Sequence, residues 1–255
     1  LDMPLKGLIF DVDGTLAETE ELHRLCFNDA FANAGHDWEW PRELYCQLLK
    51  VTGGKERIHH YLDCMGLDLG TDAAARIAEL HAEKNRLYAR RTASGVALRP
   101  GVRRLIAEAR ACGLAVAVAT TTSRGNLDAL IAAAFGTAAA GWFSAVVTGE
   151  DVSRKKPDPA AYLQVLDQLG LTPSECVAFE DSRNGLLAAK AAGLPVILTP
   201  SLYTQDEDHG EGDCVVSDLG ELGRPLRHIS GWKPAGDVID LAALQALLEH
   251  RTCER

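Results

Sequence analysis

Four short segments of this sequence carry side chains suited to chemistry, and each follows an apolar run, three of them directly. Asp11-Val12-Asp13-Gly14-Thr15 follows Leu8-Ile9-Phe10, and Thr120-Thr121-Thr122-Ser123 follows Leu114 to Ala119. Lys155-Lys156-Pro157 comes after Ala145 to Val147, and Glu180-Asp181 ends Cys176 to Phe179. Side chains alternate along a strand, so Asp11 and Asp13 start on one side, and Gly14 lets the chain turn away sharply enough to expose them. With Glu180 and Asp181 added, up to four carboxylates converge on one spot, where they repel one another unless a cation neutralises them. Oxygen donors with no neighbouring His or Cys favour Mg²⁺, and Lys156 brings a second positive charge. The Thr120 hydroxyl, the backbone N–H groups after it and a helix opening near Arg124 or Gly125 form a cradle for phosphate. This set suits phosphoryl transfer to an aspartate: Asp11 attacks phosphorus, while Asp13 protonates the leaving oxygen and later activates water.

Taken singly, each segment has a bland explanation. A D-x-D at a strand end serves as a turn or cap, a threonine run reflects strand propensity, and Lys-Lys-Pro makes a solvated loop. Their placement at successive strand ends is what argues for chemistry, because ligands of open parallel sheets bind beyond the carboxyl ends of the strands. Other signatures fail: no G-x-G-x-x-G follows the first strand, G-x-S-x-G and H-E-x-x-H are absent, and Gly53-Gly54-Lys55-Glu56 lacks P-loop spacing.

The elements that must position these groups are short, non-alternating apolar runs, including Val177 to Phe179 and Val196 to Leu198, separated by Ala-rich helical stretches such as Arg124 to Phe135. That alternation predicts an α/β fold with a Rossmann-like parallel-sheet core. From about Glu18 to Gly95 no strand pattern appears, only helical ones such as Glu21 to Ala34 and Ala73 to Arg91, a span too long for an ordinary crossover. The expected organisation is a discontinuous α/β core, residues 1–17 and 96–255, with an inserted helical cap domain over 18–95 and a cleft between them. Tyr203 to Gly212 reads as a polar surface loop and Leu241 to Glu249 as a closing helix.

Composition sets the bounds. The chain has 255 residues, 47% hydrophobic and 24% charged, enough to bury a core without staples. A net charge of −10 disfavours nucleic acid as a partner, and no apolar run reaches membrane-spanning length. Seven scattered cysteines with no C-x-x-C suggest reduced thiols and a cytoplasmic location. Leu1 to Phe10 lacks the pattern of a signal peptide, and Met3 is a candidate native start; a transit peptide already removed would instead place the protein in a plastid stroma.

The four segments, in this order, resemble the motifs of the haloacid dehalogenase superfamily, with the helical insertion after the first motif similar to that family's cap. The resemblance implies Asp11 as nucleophile and Asp13 as general acid and base. It also implies Mg²⁺ held by Asp11, the Asp13 carbonyl and Asp181, with Glu180 direct or one step removed, and Thr120 and Lys156 on the phosphoryl oxygens. Thr121, Thr122, Ser123, Arg124 and Asn126 complete the expected contacts on that side, although Arg124 equally fits a surface role. Leu16 to His23 and Thr52 to Ile58 are similar to the CbbY-like sugar phosphatases, which implies a pentulose bisphosphate substrate, xylulose 1,5-bisphosphate first.

Some of this has support from the residues themselves. Thr52-Gly53-Gly54 suits exposed N–H groups at a helix start, with Lys55 and Arg57 adding charge to grip a second phosphate. The alternative is a plain interhelical loop with its basic residues in water, and both readings stand at this point. Lys84 resembles a cap lysine that reaches the active site, against a solvated helix face shared with Arg86, Arg90 and Arg91. Glu20 suits hydrogen bonds to sugar hydroxyls; Glu18 and Glu21 read as first-turn helix acids and His23 as a structural histidine. The expected function is a monomeric, Mg²⁺-dependent sugar-bisphosphate phosphatase working through an aspartyl phosphate. The alternatives are a β-phosphoglucomutase-like mutase, disfavoured by Lys55 where such mutases carry Arg, and a non-catalytic sugar-phosphate-binding regulator.

Overall fold

A computed structural model describes residues 5–253, so Met3 lies outside the described residues. Seven strands form one sheet in the order β3-β2-β1-β4-β5-β6-β7, parallel except for β7 against β6. Its centre is β1 (Gly7–Phe10), flanked by β2 (Ala115–Ala119) and β4 (Cys176–Glu180). Every β1 residue is buried, as a strand covered on both faces must be, which is why it reads as an unbroken apolar run. β3 (Ala145–Val147) and β5 (Val196–Leu198) extend the sheet on either side. Two strands escaped the sequence reading: β6 (Cys214–Val216), only three residues long, and β7 (His228–Gly231), a largely exposed edge strand with no apolar pattern.

Helices α5 (Val102–Ala111), α6 (Arg124–Phe135), α7 (Ala160–Leu169), α8 (Arg183–Ala191) and α9 (Leu241–Cys253) cover the sheet. Two apolar clusters result, one around Leu8, Phe10 and Phe179, the other around Ile9, Tyr162 and Leu198. Between β1 and β2 run four helices, α1 (Glu20–Asn33), α2 (Arg42–Leu48), α3 (Gly54–Met65) and α4 (Ala73–Thr92). They gather their own cluster from Phe27, Phe31, Trp40, Tyr45 and Ile58 rather than joining those of the sheet. This helical layer stands over the carboxyl ends of β1, β2 and β4. Among the described residues no helix is long and apolar enough to cross a membrane.

Candidate active site

Beyond the carboxyl end of β1 the chain bends at Gly14, whose φ of 84° is open to glycine but not to bulkier residues. A Cβ there would lie 2.2 Å from Asp181 Oδ2, so glycine also makes room for the acidic cluster. Buried Arg99 pins this bend, donating to the carbonyls of Gly14, Thr199, Pro200 and Ser217. Nothing in the sequence spacing signals that role.

Asp11, Glu180 and Asp181 are buried and bring carboxylate oxygens within 4.8 Å of one another. Lys156 enters from the loop after β3, and its Nζ donates to Asp11 Oδ1 at 2.7 Å, to Glu180 Oε1 at 2.6 Å and to the Ala119 carbonyl at 2.8 Å. Tyr162, on α7, donates its hydroxyl to the same Glu180 oxygen. One lysine does not balance three buried acids. Burial raises the Asp11 pKa and Glu180 adds to this, so that despite Lys156 it is pushed up to about 8. Burial, Asp11 and Glu180 together hold Asp181 well above the usual carboxylate range. Lys156 gains more from Asp11 and Glu180 than burial takes away, so its ammonium is held charged. Glu180 Oε2 is buried without a hydrogen-bond partner. An all-oxygen donor set with surplus negative charge and an orphaned carboxylate oxygen fits a hard divalent cation such as Mg²⁺.

Asp13 departs from the expected four-carboxylate cluster. Its Oδ1 accepts from Thr19 Oγ1 at 2.6 Å and lies 2.8 Å from His23 Nε2, which turns the side chain toward the helical layer and leaves three acids together. Burial raises its pKa, but His23, Thr19 and Lys84 outweigh this and hold it below the ordinary range. His23, read from sequence as structural, therefore touches Asp13 directly while its ring stacks on Tyr88, centroids 4.2 Å apart.

A recess of about 70 Å³ lined by Asp11, Thr120, Lys156 and Asp181 adjoins a larger cleft of about 390 Å³ bounded by Asp13, Glu20, Gly53, Lys55, Lys84, Thr121, Thr122, Ser123 and Asn126. Thr120 Oγ1 accepts from the Thr122 amide at 3.2 Å, and Ser123 caps α6 through the Asn126 amide. Asn126 Nδ2 reaches Asn85 Oδ1 on α4 at 3.0 Å. On the helical side, Gly53 and Gly54 do open a helix, α3, and Thr52 Oγ1 accepts from Asn184 Nδ2 at 3.0 Å. Glu20 accepts from the Tyr45 hydroxyl at 2.8 Å. Lys84 is buried, its ammonium over the rings of Phe27 and Tyr88; burial lowers its pKa to about 8 although Asp13 and Glu20 pull it upward. Arg57 lines the cleft too, but its guanidinium is already engaged by the Leu48 and Val51 carbonyls and the Tyr45 hydroxyl.

Arg124 does not belong to this set. Its side chain is exposed and pairs with Asp128 one turn along α6 at 3.0 Å, because helix geometry favours that neighbour over the cleft. Tyr203 to Gly212 is less peripheral than a surface loop: the Tyr203 hydroxyl bonds Glu21, and buried Thr204 donates to the Asp181 carbonyl at 2.8 Å. Neither Tyr162, Thr204 nor Asn184 had a sequence signal, since each meets its partner only through the fold.

An open parallel sheet with an acidic cluster, a buried lysine and a helical layer over its strand ends defines a hydrolase class. The haloacid dehalogenase-like hydrolase family matches residues 5–193, and the chain belongs to that family. It is an enzyme, a phosphatase of haloacid dehalogenase type. The chain is 52% identical over 218 residues to Protein CbbY of Rhodobacter capsulatus, covering 85% of this chain and 95% of that protein. A crystal structure of CbbY from Rhodobacter sphaeroides in complex with xylulose 1,5-bisphosphate is 46% identical, covers 86% of this chain and 96% of its own, and superposes with a TM-score of 0.81. A β-phosphoglucomutase from Clostridium difficile shares the fold, with a TM-score of 0.76 over 98% of this chain and 99% of its own, at 16% identity.

Proposed function

We propose that the protein is a Mg²⁺-dependent phosphatase that hydrolyses a sugar bisphosphate, xylulose 1,5-bisphosphate first, through an aspartyl phosphate on Asp11. The observation that carries this reading is a pair of adjoining recesses that share Asp13, Glu20, Arg57 and Thr121, one holding Asp11 and Lys156, the other lined by Lys55, Lys84, Lys155 and the start of α3. Residues 18–95 act as a cap on the core formed by 1–17 and 96–255.

Asp11 Oδ bonds to phosphorus as the bond to the sugar oxygen breaks, and Asp13 gives that oxygen a proton. Asp13 then takes a proton from water, whose oxygen attacks phosphorus, freeing phosphate and restoring the Asp11 carboxylate. The lowered pKa of Asp13 keeps it ionised, the form that accepts a proton in the second step, and the negative charge of an arriving phosphate raises it, which aids both its proton transfers. Lys156 and the Thr120 hydroxyl hold the phosphoryl oxygens. Asp11, Asp181, Glu180 and the Asp13 carbonyl would hold Mg²⁺, which when bound supplies charge neutralisation for acids and phosphate alike. CbbY of Rhodobacter sphaeroides, with xylulose 1,5-bisphosphate bound and 46% identical, favours this substrate over the mutase alternative; the Clostridium difficile mutase shares the fold alone.

Phosphate release with Mg²⁺ is measured across xylulose and ribulose 1,5-bisphosphates, phosphoglycolate and β-glucose 1-phosphate, with Asp11→Asn as blank. Preference for a pentulose bisphosphate, lost in the blank, is expected. Preference for a monophosphate would reject the bisphosphate reading, and no release from any of the four would reject the phosphatase reading.

A further inference from the structure

Glu56 lies in the first turn of α3, and its carboxylate folds back over the helix start. Oε1 accepts from Lys155 Nζ at 2.6 Å, a bond that crosses from the helical layer to the loop before α7. The carboxylate also takes a bond from its own backbone N–H. Gly53, at φ 100°, permits the fold-back: a Cβ there would sit 2.2 Å from Glu56 Oε2 and 2.8 Å from Lys155 Nζ. Burial works against its charge, but Lys155, that N–H and Lys55 overcome it and keep Glu56 ionised. An anion therefore already sits on the helix start and the lysine at the basic end of the cleft. A second phosphate would need those same donors.

We propose that the Glu56 carboxylate is a built-in counter-anion of the distal phosphate subsite, resting on Lys155 and the start of α3 until a substrate phosphate displaces it into water. This inference deepens the sugar-bisphosphate reading and rests on it. The Glu56 side chain is 47% exposed, so an outward path to solvent is open. Displacement trades one negative charge for a phosphate that carries nearly two and offers three oxygens. The exchange thus favours a dianionic phosphate over a carboxylate or a neutral hydroxyl. Glu56 is in this sense a specificity-determining residue, and Lys155 a donor shared between the resting and bound states. The competing role is a latch: an ion pair that merely holds the helical layer against the core. A half-exposed pair contributes little energy, and a latch would not need its carboxylate laid over the helix start.

The two roles differ in sign. The ratio of kcat/KM for xylulose 1,5-bisphosphate to that for the monophosphate retaining the phosphate that is released, identified as xylulose 1-phosphate or xylulose 5-phosphate from the product formed, is measured in the wild-type protein, Glu56→Gln and Lys155→Met, with melting temperatures to establish folding. Removing the competing charge raises the ratio about fivefold or more in Glu56→Gln, the scale of roughly 1 kcal/mol. Losing the shared donor lowers it by a similar factor in Lys155→Met. A fall or no change in folded Glu56→Gln overturns the inference, as does an unchanged ratio in Lys155→Met should Glu56→Gln not fold. A wild-type enzyme that does not prefer the bisphosphate would sink the substrate reading itself, before either variant is consulted.

Discussion

Replacing Lys156 with methionine keeps most of the side-chain volume and removes one charge, and the structure gives the cost. The lysine is 4% exposed and donates to Asp11, Glu180 and the Ala119 carbonyl, so methionine leaves two buried acids and a carbonyl without their shared donor. Breaking a buried ion pair from one side costs about 3–5 kcal/mol. In a protein of this length about 1 kcal/mol corresponds to roughly 2–4 °C in Tm, so the expected fall is about 6–20 °C. The fall depends on pH, and the sign follows from the acids. Lys156 has a raised pKa, so its contribution is fully present below its ordinary value and its own titration plays no part between pH 5 and pH 9. Asp11, already at about 8 with the lysine present, is largely protonated at pH 5 and ionising by pH 8.5. The destabilisation should therefore be smaller at pH 5 than at pH 8.5. Differential scanning calorimetry of both proteins without Mg²⁺ at the two pH values measures it. A drop below about 3 °C at pH 8.5, or the same drop at both, would refute the view of Lys156 as the internal counter-charge.

Two further outcomes follow from the same cluster. Because the folded-state pKa of Asp11 is raised, the metal-free protein loses stability as pH climbs from about 4 toward 8; Mg²⁺ should restore it, so the Mg²⁺-induced rise in Tm should be larger at pH 8.5 than at pH 5, and equal shifts would argue against the three acids as the metal site. Gly185→Ala would place a Cβ 1.9 Å from Glu180 Oε2, against a side chain held by Lys156 and Tyr162, so it should destabilise by about 1–3 kcal/mol and lower activity; wild-type values in denaturant melts and phosphate release would mean that Glu180 is free to move.

What could be read from sequence tracks how local the signal is. A strand buried on both faces announces itself as an apolar run, and the polar residues that follow it are then at the strand end by construction. Asp11, Thr120 and Asp181 were legible for that reason; Lys156 lies nine residues past β3, in the loop before α7, and the α3 start at Gly53-Gly54 was one of two open readings. Orientation was not legible. Asp13 has the spacing to face Asp11, yet Thr19 and His23, brought back by α1, turn it away. Arg124 has the right helix and the wrong side of it, and Asp128 one turn on claims its charge. Tyr162 looks like a core aromatic of α7, and only the fold sets its hydroxyl against Glu180. Edge strand β7 lacked a pattern because most of it faces solvent and need not be apolar.

The two ends of the cleft pose different electrostatic problems, and the difference bears on how a chain of net charge −10 would bind the proposed bisphosphate. At the reacting end, acids outnumber the one lysine. Their raised pKa values are the mark of a site short of positive charge until a cation arrives. In the adjoining cleft, Lys55, Lys84 and Lys155 stand among Glu20, Glu56 and Glu150, and Lys155 is already paired with Glu56. There burial lowers Lys84 toward neutrality, and with the lysines it brings His81 down to about 3, so the histidine adds no charge. A bisphosphate with its metal satisfies both ends at once: the cation and one phosphate answer the acids, and the second phosphate answers the lysines. A monophosphate satisfies only one. On the proposed reading, selectivity for a substrate charged at both ends would come from the uncompensated acids at one end and from release of the Lys155–Glu56 pair at the other.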